Sequence, residues 1–374
     1  MAYLAYFKSE LGRKPSAFTP FASIVAPCKG IDEGLEENLA ALHRQTYPAY
    51  EVIFVVDNED DPAVSVIEEI SANYPQTKLV VAGRSVGSAQ KIENLREAVL
   101  HLAGESRALV FVDSDVRPDE NWLASLVAPL ESAKVGASTG YRWFISRTPS
   151  FASETRSAWN ASIASALGPN LKSNFCWGGS MAIRRDVFET LDIRGKWHGA
   201  LSDDFTVTRA MKAANLDIYF VPQALTPSIE SCSFTELIEF TTRQMKITRV
   251  YASILWKLSF FGSALFNITL LSALLIVLTN PIYSFSFVAA AITIILVTVF
   301  SIGKSHLRLK AVRLVLTQYE PELKRQLWTQ NTLWLLAPAV FLYNAAAALL
   351  SRRMKWRGIQ YELVSPTETR IISD

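Results

Sequence analysis

Cysteine is scarce in this sequence, which leaves little to build a disulfide framework or a zinc site. The chain has 3 cysteines in 374 residues, and Cys28, Cys176 and Cys232 lie far apart. Their odd number and wide spacing exclude a stapled scaffold and a zinc-ligand motif, and they predict a reducing compartment for the soluble part. The net charge is only +2, so bulk charge gives no reason to expect nucleic acid as a partner.

Charged residues are missing from two long stretches in the last third of the chain. None lies between Lys257 and Lys304, and none lies between Arg325 and Arg352. A membrane span needs about 20 apolar residues, so the first stretch can hold two spans and the second can hold one more. The predicted spans are 258–279, 282–303 and 331–350, within a membrane region of 258–351. Buried core helices are the alternative, which the length of the stretches disfavours.

The first two-thirds of the chain alternates short apolar, β-rich runs with helical stretches. The strand-like runs are FASIVAP, YEVIFVVD, KLVVAG and RALVFVD, and the helical stretches between them are LEENLAALHRQ, AVSVIEEISANY and KIENLREAVLHLA. This alternation predicts an α/β domain with a mostly parallel, Rossmann-like sheet and crossover helices. Ligands of such sheets bind beyond the carboxyl ends of the strands. Polar residues follow three of these ends, at 27–30, 57–61 and 113–115.

The acidic pair Asp113 and Asp115 directly follows the predicted strand ALVFV. Two carboxylates in one tight turn suit Mg²⁺ or Mn²⁺, because these ions prefer oxygen ligands and share themselves with substrate phosphates. Turns also use Asp freely, so an ordinary turn is the alternative. The position at the end of a buried strand favours a divalent metal site.

A second acidic pair, Asp203 and Asp204, opens the predicted helix TVTRAMKAAN. A sugar acceptor's hydroxyl is a poor nucleophile until a carboxylate within hydrogen-bond reach takes its proton, so one of these two aspartates is a candidate general base. Capping of the helix by Ser202 or Asp203 is the alternative. In the segment 174–180, the paired glycines Gly178 and Gly179 permit close approach of the backbone. The adjacent Trp177 offers an apolar face on which a sugar or a lipid could pack. A plain turn is the alternative there.

Six segments, in this order, resemble the motifs of family-2 glycosyltransferases with a GT-A fold. They are APCKGID, NEDDPA (58–63), GSAQKIENL (87–95), DSD, SDDF and WRGIQYEL (356–363). The sequence is most similar to the ceramide glucosyltransferases and their bacterial relatives. The resemblance implies an N-terminal segment 1–20, a GT-A catalytic domain 21–233, an interfacial helix 234–257, the membrane region and a tail 352–374.

The resemblance also implies roles for individual residues. A nucleotide-sugar donor would be bound by Pro27, Lys29, Asp57, Asp60, Lys91 and Asp113. Metal binding would fall to Asp113 and Asp115, and Asp204 would be the catalytic base. The acceptor side would comprise Trp177, Gly178, Gly179 and Asp203. Which acidic residue of the 57–61 loop matters stays open, and Asp203 replaces the more usual Glu.

The sequence departs from the family at a Gln/Arg-x-x-Arg-Trp motif just before the spans. The aligned residues are Arg243, Lys246 and Ile247, with Arg249 one helical turn beyond Lys246. Lys246 keeps the charge but loses the planar fork that grips a diphosphate, and Arg249 can compensate. Because Arg243, Lys246 and Arg249 recur every three residues, we expect them to lie near one face of a helix. The motif's tryptophan is absent, which argues against a long-chain polymer product. Family members usually carry a span before the first strand, whereas MAYLAYFKSE is too short for one, so either this start is native or an upstream segment has been lost.

The expected function is that of an inverting glycosyltransferase that moves glucose from UDP-glucose onto a lipid hydroxyl such as that of ceramide. The alternatives are a polysaccharide or polyprenyl-phosphate sugar transferase of the same fold, or a membrane-bound pseudoenzyme that binds a sugar nucleotide or a lipid. Identity of the sugar and of the lipid lies beyond these motifs.

The expected location is a membrane, most simply a bacterial inner membrane, with the catalytic domain in the cytosol. Basic clusters at Lys304–Arg313 and Arg352–Arg357 favour cytosolic placement. Three full spans would put the tail outside, so we expect one segment, that of Pro338, to be re-entrant or interfacial. The stretch 304–328 has basic and apolar faces and is expected to lie at the membrane surface.

Overall fold

A computed structural model describes residues 2–14 and 16–373. The strands are β1 (Ala22–Pro27), β2 (Tyr50–Val56), β3 (Thr77–Val81), β4 (Ala108–Val112), β5 (Val135–Ile145), β6 (Ser180–Arg184), β7 (Asp217–Ile229), β8 (Arg353–Trp356), β9 (Ile359–Ser365) and β10 (Glu368–Ser373). The helices up to the membrane region are α1 (Ala2–Leu11), α2 (Leu35–Leu42), α3 (Ala63–Ser71), α4 (Gln90–Ala98), α5 (Trp122–Val127), α6 (Phe151–Ala164), α7 (Arg185–Thr190), α8 (Ile193–Lys196), α9 (Asp203–Ala213) and α10 (Phe234–Tyr251). The remaining helices are α11 (Ser253–Thr279), α12 (Phe285–Val312), α13 (Glu320–Thr332) and α14 (Ala337–Leu350).

The predicted catalytic domain is built on a seven-stranded sheet in the order β3-β2-β1-β4-β6-β5-β7. Neighbours from β3 to β4 are parallel, β6 runs antiparallel to β4 and β5, and β5 is parallel to β7. Strands covered by helices on both faces read as continuous apolar runs, which explains why ALVFV of β4 is buried throughout. The predicted α/β fold is confirmed. Parallel pairing of β1 with β4 brings the loops after Pro27 and Val112 to the same edge.

The N-terminal helix α1 docks on the outer strand β7. Phe7 is fully buried, and its ring lies 6.0 Å from that of Phe220. The Tyr6 hydroxyl donates to the Phe220 carbonyl at 2.6 Å. The segment 1–20 therefore contributes a packed helix to the domain.

Helices α11 and α12 are each long and apolar enough to cross a membrane. The third predicted span, 331–350, is instead part of a bent pair, in which Thr317–Leu335 and Ala337–Leu350 meet at 56°. Pro338 lies in the first turn of α14, where a missing N–H breaks no helical bond. The predicted surface helix 304–328 is divided, because its first residues continue α12 to Val312 and its later residues belong to α13.

The segment expected to be a separate cytosolic tail forms a small antiparallel sheet, in the order β10-β9-β8. The Tyr361 hydroxyl of β9 accepts a hydrogen bond from the Gln90 backbone N–H at the start of α4, at 3.1 Å. The turn between β9 and β10 packs on Gly199, where an added Cβ would lie 2.2 Å from the Thr367 carbonyl oxygen. The tail and the catalytic domain therefore lie on the same side of helices α11 and α12.

Candidate active site

One cavity of about 380 Å³ lies at the carboxyl edge of the sheet, between the catalytic domain, α10 and the C-terminal sheet. Its lining includes most of the predicted site residues. These are Pro27, Lys29, Lys91, Asp113, Asp115, Trp177, Gly178, Asp203, Asp204 and Arg243. These residues come from six segments of the chain, which meet where the strand order predicted a ligand site.

The two aspartates after β4 are held by cations from neighbouring elements. Lys91 Nζ lies 2.7 Å from Asp113 Oδ1, and Arg142 on β5 reaches Asp113 Oδ2 at 3.1 Å and Asp115 Oδ2 at 3.2 Å. Burial alone would raise the pKa of Asp113, but the charges of Lys91 and Arg142 outweigh it and hold that pKa below its ordinary value. Asp113 is therefore an ionised carboxylate at the cavity wall.

The aspartate pair suits a divalent cation that shares its coordination with phosphates. Asp115 Oδ1 is buried and has no hydrogen-bond partner in the part of the chain that the structure describes, which leaves it available to a cation. Within residues 2–14 and 16–373, no cluster of three or more Asp, Glu, His or Cys side chains could hold a metal ion. Mg²⁺ and Mn²⁺ sites commonly use one or two carboxylates and take the remaining ligands from substrate and water, so these residues fit such an ion.

The acidic pair at the start of α9 divides into two different environments. Ser202 caps the helix by accepting the Phe205 N–H. Asp204 accepts hydrogen bonds from the Ser202 hydroxyl, from the Phe205 N–H at 2.7 Å and from the Gly178 N–H at 3.3 Å. These three donors fix the orientation of the carboxylate at the start of the helix. Asp204 is thus a fixed oxygen acceptor that lines the cavity.

Asp203 is more deeply buried, with 4% of its surface exposed. Its Oδ1 lies 3.3 Å from Lys91 Nζ, whereas its Oδ2 has no hydrogen-bond partner among the described residues. Burial raises the pKa of Asp203 to about 6, Lys91 opposes this shift, and the adjacent Asp204 adds to it. Asp203 therefore holds a proton more readily than an ordinary aspartate does.

The paired glycines let the acidic side chains approach the backbone. A Cβ on Gly178 would lie 2.0 Å from Asp203 Oδ2, and one on Gly179 would lie 2.6 Å from Asp113 Oδ2. Trp177 is only 9% exposed, and the Arg142 guanidinium lies 4.8 Å from its ring centroid. The tryptophan lines the cavity mainly as a platform for Arg142, which leaves little of its face for an acceptor.

The predicted nucleotide residues of the second loop are placed differently from one another. Asp57 is buried and forms an ion pair with Lys29. Asp60 is exposed, whereas the neighbouring Asp61 is buried and accepts the Gly30 N–H at 2.9 Å. Asp61 therefore shapes the loop after β1, and Asp60 points to solvent outside the cavity lining.

The three basic residues predicted to share one face of α10 do not converge. Arg243 lines the cavity, but the Lys246 side chain donates to the Arg353 carbonyl, and Arg249 donates to the carbonyls of Ala348 and Leu349. Six residues at 3.6 per turn rotate a side chain about 120° away from its starting direction. Only Arg243 is therefore placed to meet a ligand in the cavity.

Two arginines at the site were missed by sequence reasoning. Arg142 lies within a fully buried strand, and its acidic partners are distant in sequence, so no local motif marks it. Arg357 belongs to the WRGIQYEL segment, which resembled a family tail but carried no role. It forms a two-point pair with Asp32, a residue of the APCKGID segment, at 2.5 and 2.6 Å.

Comparisons with known proteins bear on the family and the fold of the chain. A curated relative, ceramide glucosyltransferase 3 of Caenorhabditis elegans, is 33% identical over 120 residues, which cover 30% of this chain and 26% of the relative. Ceramide glucosyltransferase of Komagataella phaffii is 32% identical over 100 residues, covering 25% and 19%. The matched stretch thus spans about a quarter of the length of these relatives.

A solved structure shares the fold over most of its length. It is that of the mannosyltransferase PcManGT from Pyrobaculum calidifontis in complex with GDP-Man and Mn²⁺, with a TM-score of 0.50, 16% identity, and coverage of 91% of this chain and 94% of that one. The GT-A fold and the resemblance to ceramide glucosyltransferases, both expected from the motifs, are confirmed. A family model described as glycosyl transferase family 21 matches residues 1–369. The chain therefore belongs to glycosyl transferase family 21.

Proposed function

We propose that this chain transfers glucose from UDP-glucose to the hydroxyl of a membrane lipid such as ceramide, with inversion at the anomeric carbon. The observation that carries the proposal is that Asp113, Asp115, Asp204 and Arg243 line one cavity beside α10, the helix that leads into the first apolar span. A diphosphate, a sugar and a lipid hydroxyl would meet there. Similarity to ceramide glucosyltransferases supports the lipid acceptor.

The donor side of the cavity is the edge formed by β1, β4 and α4. The nucleotide would lie against Pro27 and the Lys29–Asp57 pair, next to the 57–61 loop. Lys91 and Arg243 would face the diphosphate, where their charges offset that of the departing nucleotide. Asp113 and Asp115 would hold Mg²⁺ or Mn²⁺, which when bound neutralises charge on the leaving diphosphate.

The acceptor hydroxyl needs a base on the opposite side of the sugar from the leaving group. Asp204 is held in place by three donors, so it can take the hydroxyl proton while the oxygen attacks the anomeric carbon. Asp203 stays close to Lys91 and would orient the acceptor side with Gly178. The new bond forms as the bond to the diphosphate breaks.

The acceptor would enter from the membrane side, along α10 and α11. Tyr251, at the end of α10, accepts hydrogen bonds from the backbone N–H groups of Leu201 and Ser202, at 2.9 and 3.3 Å. The helix next to the membrane therefore positions the loop that carries the base. Since nucleotide sugars are cytosolic, we place the catalytic domain on the cytosolic face of the membrane, in a bacterium the inner membrane.

The proposal is tested with the full chain in lipid nanodiscs, supplied with UDP-glucose, ceramide and Mn²⁺. The expected result is a hexosylceramide detected by mass spectrometry together with release of UDP, both lost in Asp204→Asn. Parallel reactions with diacylglycerol and with a polyprenyl phosphate identify the acceptor class. A chain that releases no nucleotide from any sugar nucleotide with any of these lipids would be a binding protein, and the proposal would be wrong.

A further inference from the structure

The tip of the β8–β9 hairpin reaches the cavity from the far end of the chain. The turn residues Arg357 and Gly358 both have positive φ angles, of 51° and 87°, the conformation of a tight hairpin that suits Asn-Gly or Gly-Gly. An arginine is an uncommon residue for such a position. The reason for an arginine at this turn lies in the contacts of its side chain.

The Arg357 guanidinium forms a two-point pair with the Asp32 carboxylate, on the loop after β1. Asp32 also accepts a hydrogen bond from the Ser114 hydroxyl, at 3.3 Å, between the two aspartates after β4. The Arg357 side chain is 38% exposed and both partners line the cavity. A ligand in the cavity can therefore reach the guanidinium without unfolding of the hairpin.

Arg243 adds a further positive charge beside this pair. Arg243 has no hydrogen bond or salt bridge among the described residues, and its guanidinium lies over the rings of Phe240 and Trp356, at 5.6 and 5.1 Å. Burial and, after it, the nearby Arg142 and Arg357 lower the pKa of Arg243 to about 10. Repelling arginines that meet in one cavity are stabilised by an anion placed between them.

We propose that Arg357 binds the diphosphate of the donor, exchanging its carboxylate partner Asp32 for phosphate oxygens when the donor enters. This inference rests on the proposed function, because it presumes a donor with a diphosphate. The planar fork that fits a carboxylate at two points fits a phosphate in the same way. Together with Arg243, it would close the membrane-side end of the donor site with two guanidinium groups.

A purely structural pair makes a different prediction from a ligand-exchanging one. If Arg357 only fastens the hairpin to the catalytic domain, loss of either partner should have the same effect. If Arg357 exchanges partners, loss of Asp32 frees the guanidinium for the phosphates, whereas loss of Arg357 removes a phosphate contact. The two variants Arg357→Ala and Asp32→Asn therefore separate these roles.

The experiment measures the affinities of UDP and of uridine for the full chain in nanodiscs by isothermal titration calorimetry, without metal and with Mn²⁺. The readout is the ratio of the two affinities, which isolates the contribution of the phosphates. Arg357→Ala should lower this ratio about ten- to a hundred-fold, as expected for a charge-assisted, two-point contact. Arg357→Lys should recover only part of it, and Asp32→Asn should keep or raise it.

The matched control is Arg370→Ala, because Arg370 lies on the same small sheet but pairs with the exposed Glu368. It should leave the ratio unchanged, and thermal melting of each variant checks that the fold persists. An unchanged ratio in Arg357→Ala, or an equal fall in Arg357→Ala and Asp32→Asn, would overturn the inference alone. A wild-type chain that binds UDP no better than uridine would instead overturn the proposed function with it.

Discussion

Replacement of Asp204 by Asn tests the assignment of the base most directly. In the wild type, Asp204 Oδ1 accepts the Phe205 N–H at 2.7 Å. In Asp204→Asn, the amide oxygen can take the place of Oδ1 and keep this hydrogen bond. The amide nitrogen would then replace Asp204 Oδ2, which in the wild type accepts the Gly178 N–H at 3.3 Å. Because the amide nitrogen cannot accept, this hydrogen bond would be lost. Loss of one such long hydrogen bond costs about 1 kcal/mol of stability, so the fold should persist. Loss of a general base should lower the transfer rate about 10²–10⁴-fold.

The assay compares transfer rate and UDP-glucose affinity for Asp204→Asn and Asp203→Asn in nanodiscs. Donor affinity should change little in Asp204→Asn, because the proposed base contacts the acceptor and not the nucleotide. Asp203→Asn should be milder, since Lys91 keeps its shorter contact with Asp113, at 2.7 Å. The reasoning is refuted if Asp203→Asn abolishes transfer while Asp204→Asn remains close to wild type.

Three further outcomes are expected. Asp115→Asn should lose most activity while melting normally, and a chelator should inhibit the wild type; full activity in either case would exclude a metal role for Asp115. Arg243→Ala should weaken nucleotide affinity, and a fall in membrane yield alone would show that it only anchors the helix. Because burial raises the pKa of Asp203 to about 6, the folded state holds its proton more tightly than the unfolded state. That contribution to stability is fully present below a pH of about 4 and is lost as the pH rises through 6. The melting temperature of the metal-free wild type should therefore fall across this pH range, and that of Asp203→Asn should fall less.

The sequence predicted the parallel half of the sheet because its strands are apolar throughout and end at polar turns. Local patterns singled out Asp113, which follows a predicted strand, and Asp204, which opens a predicted helix, whereas Lys91 came from the family resemblance; all three line the cavity. The absence of charged residues also located the two long apolar helices. These features are local, so a short window of residues contains the information that determines them.

Features that depend on distant contacts could not be predicted in this way. Arg142 is separated by 29 residues from Asp113, and Arg357 by 325 residues from Asp32. Equal spacing on α10 predicted a common direction for three basic side chains. Two of them point away from the third, because the helix rotates between them and because they donate to backbone carbonyls of α14 and β8. The role of the tail was missed because its strands are short and partly polar, so their pattern does not show which surface they cover.

The contact between Arg357 and Asp32 also has a consequence for how the enzyme is made. The first wall of the cavity is synthesised near the start of the chain, whereas the opposite wall follows only after α11, α12 and the bent helices. During translation the early sheet can fold long before its partner has left the ribosome. The nascent chain would then hold an open, incomplete pocket, and competence to bind a donor would arise only when membrane insertion has returned the late hairpin to the domain.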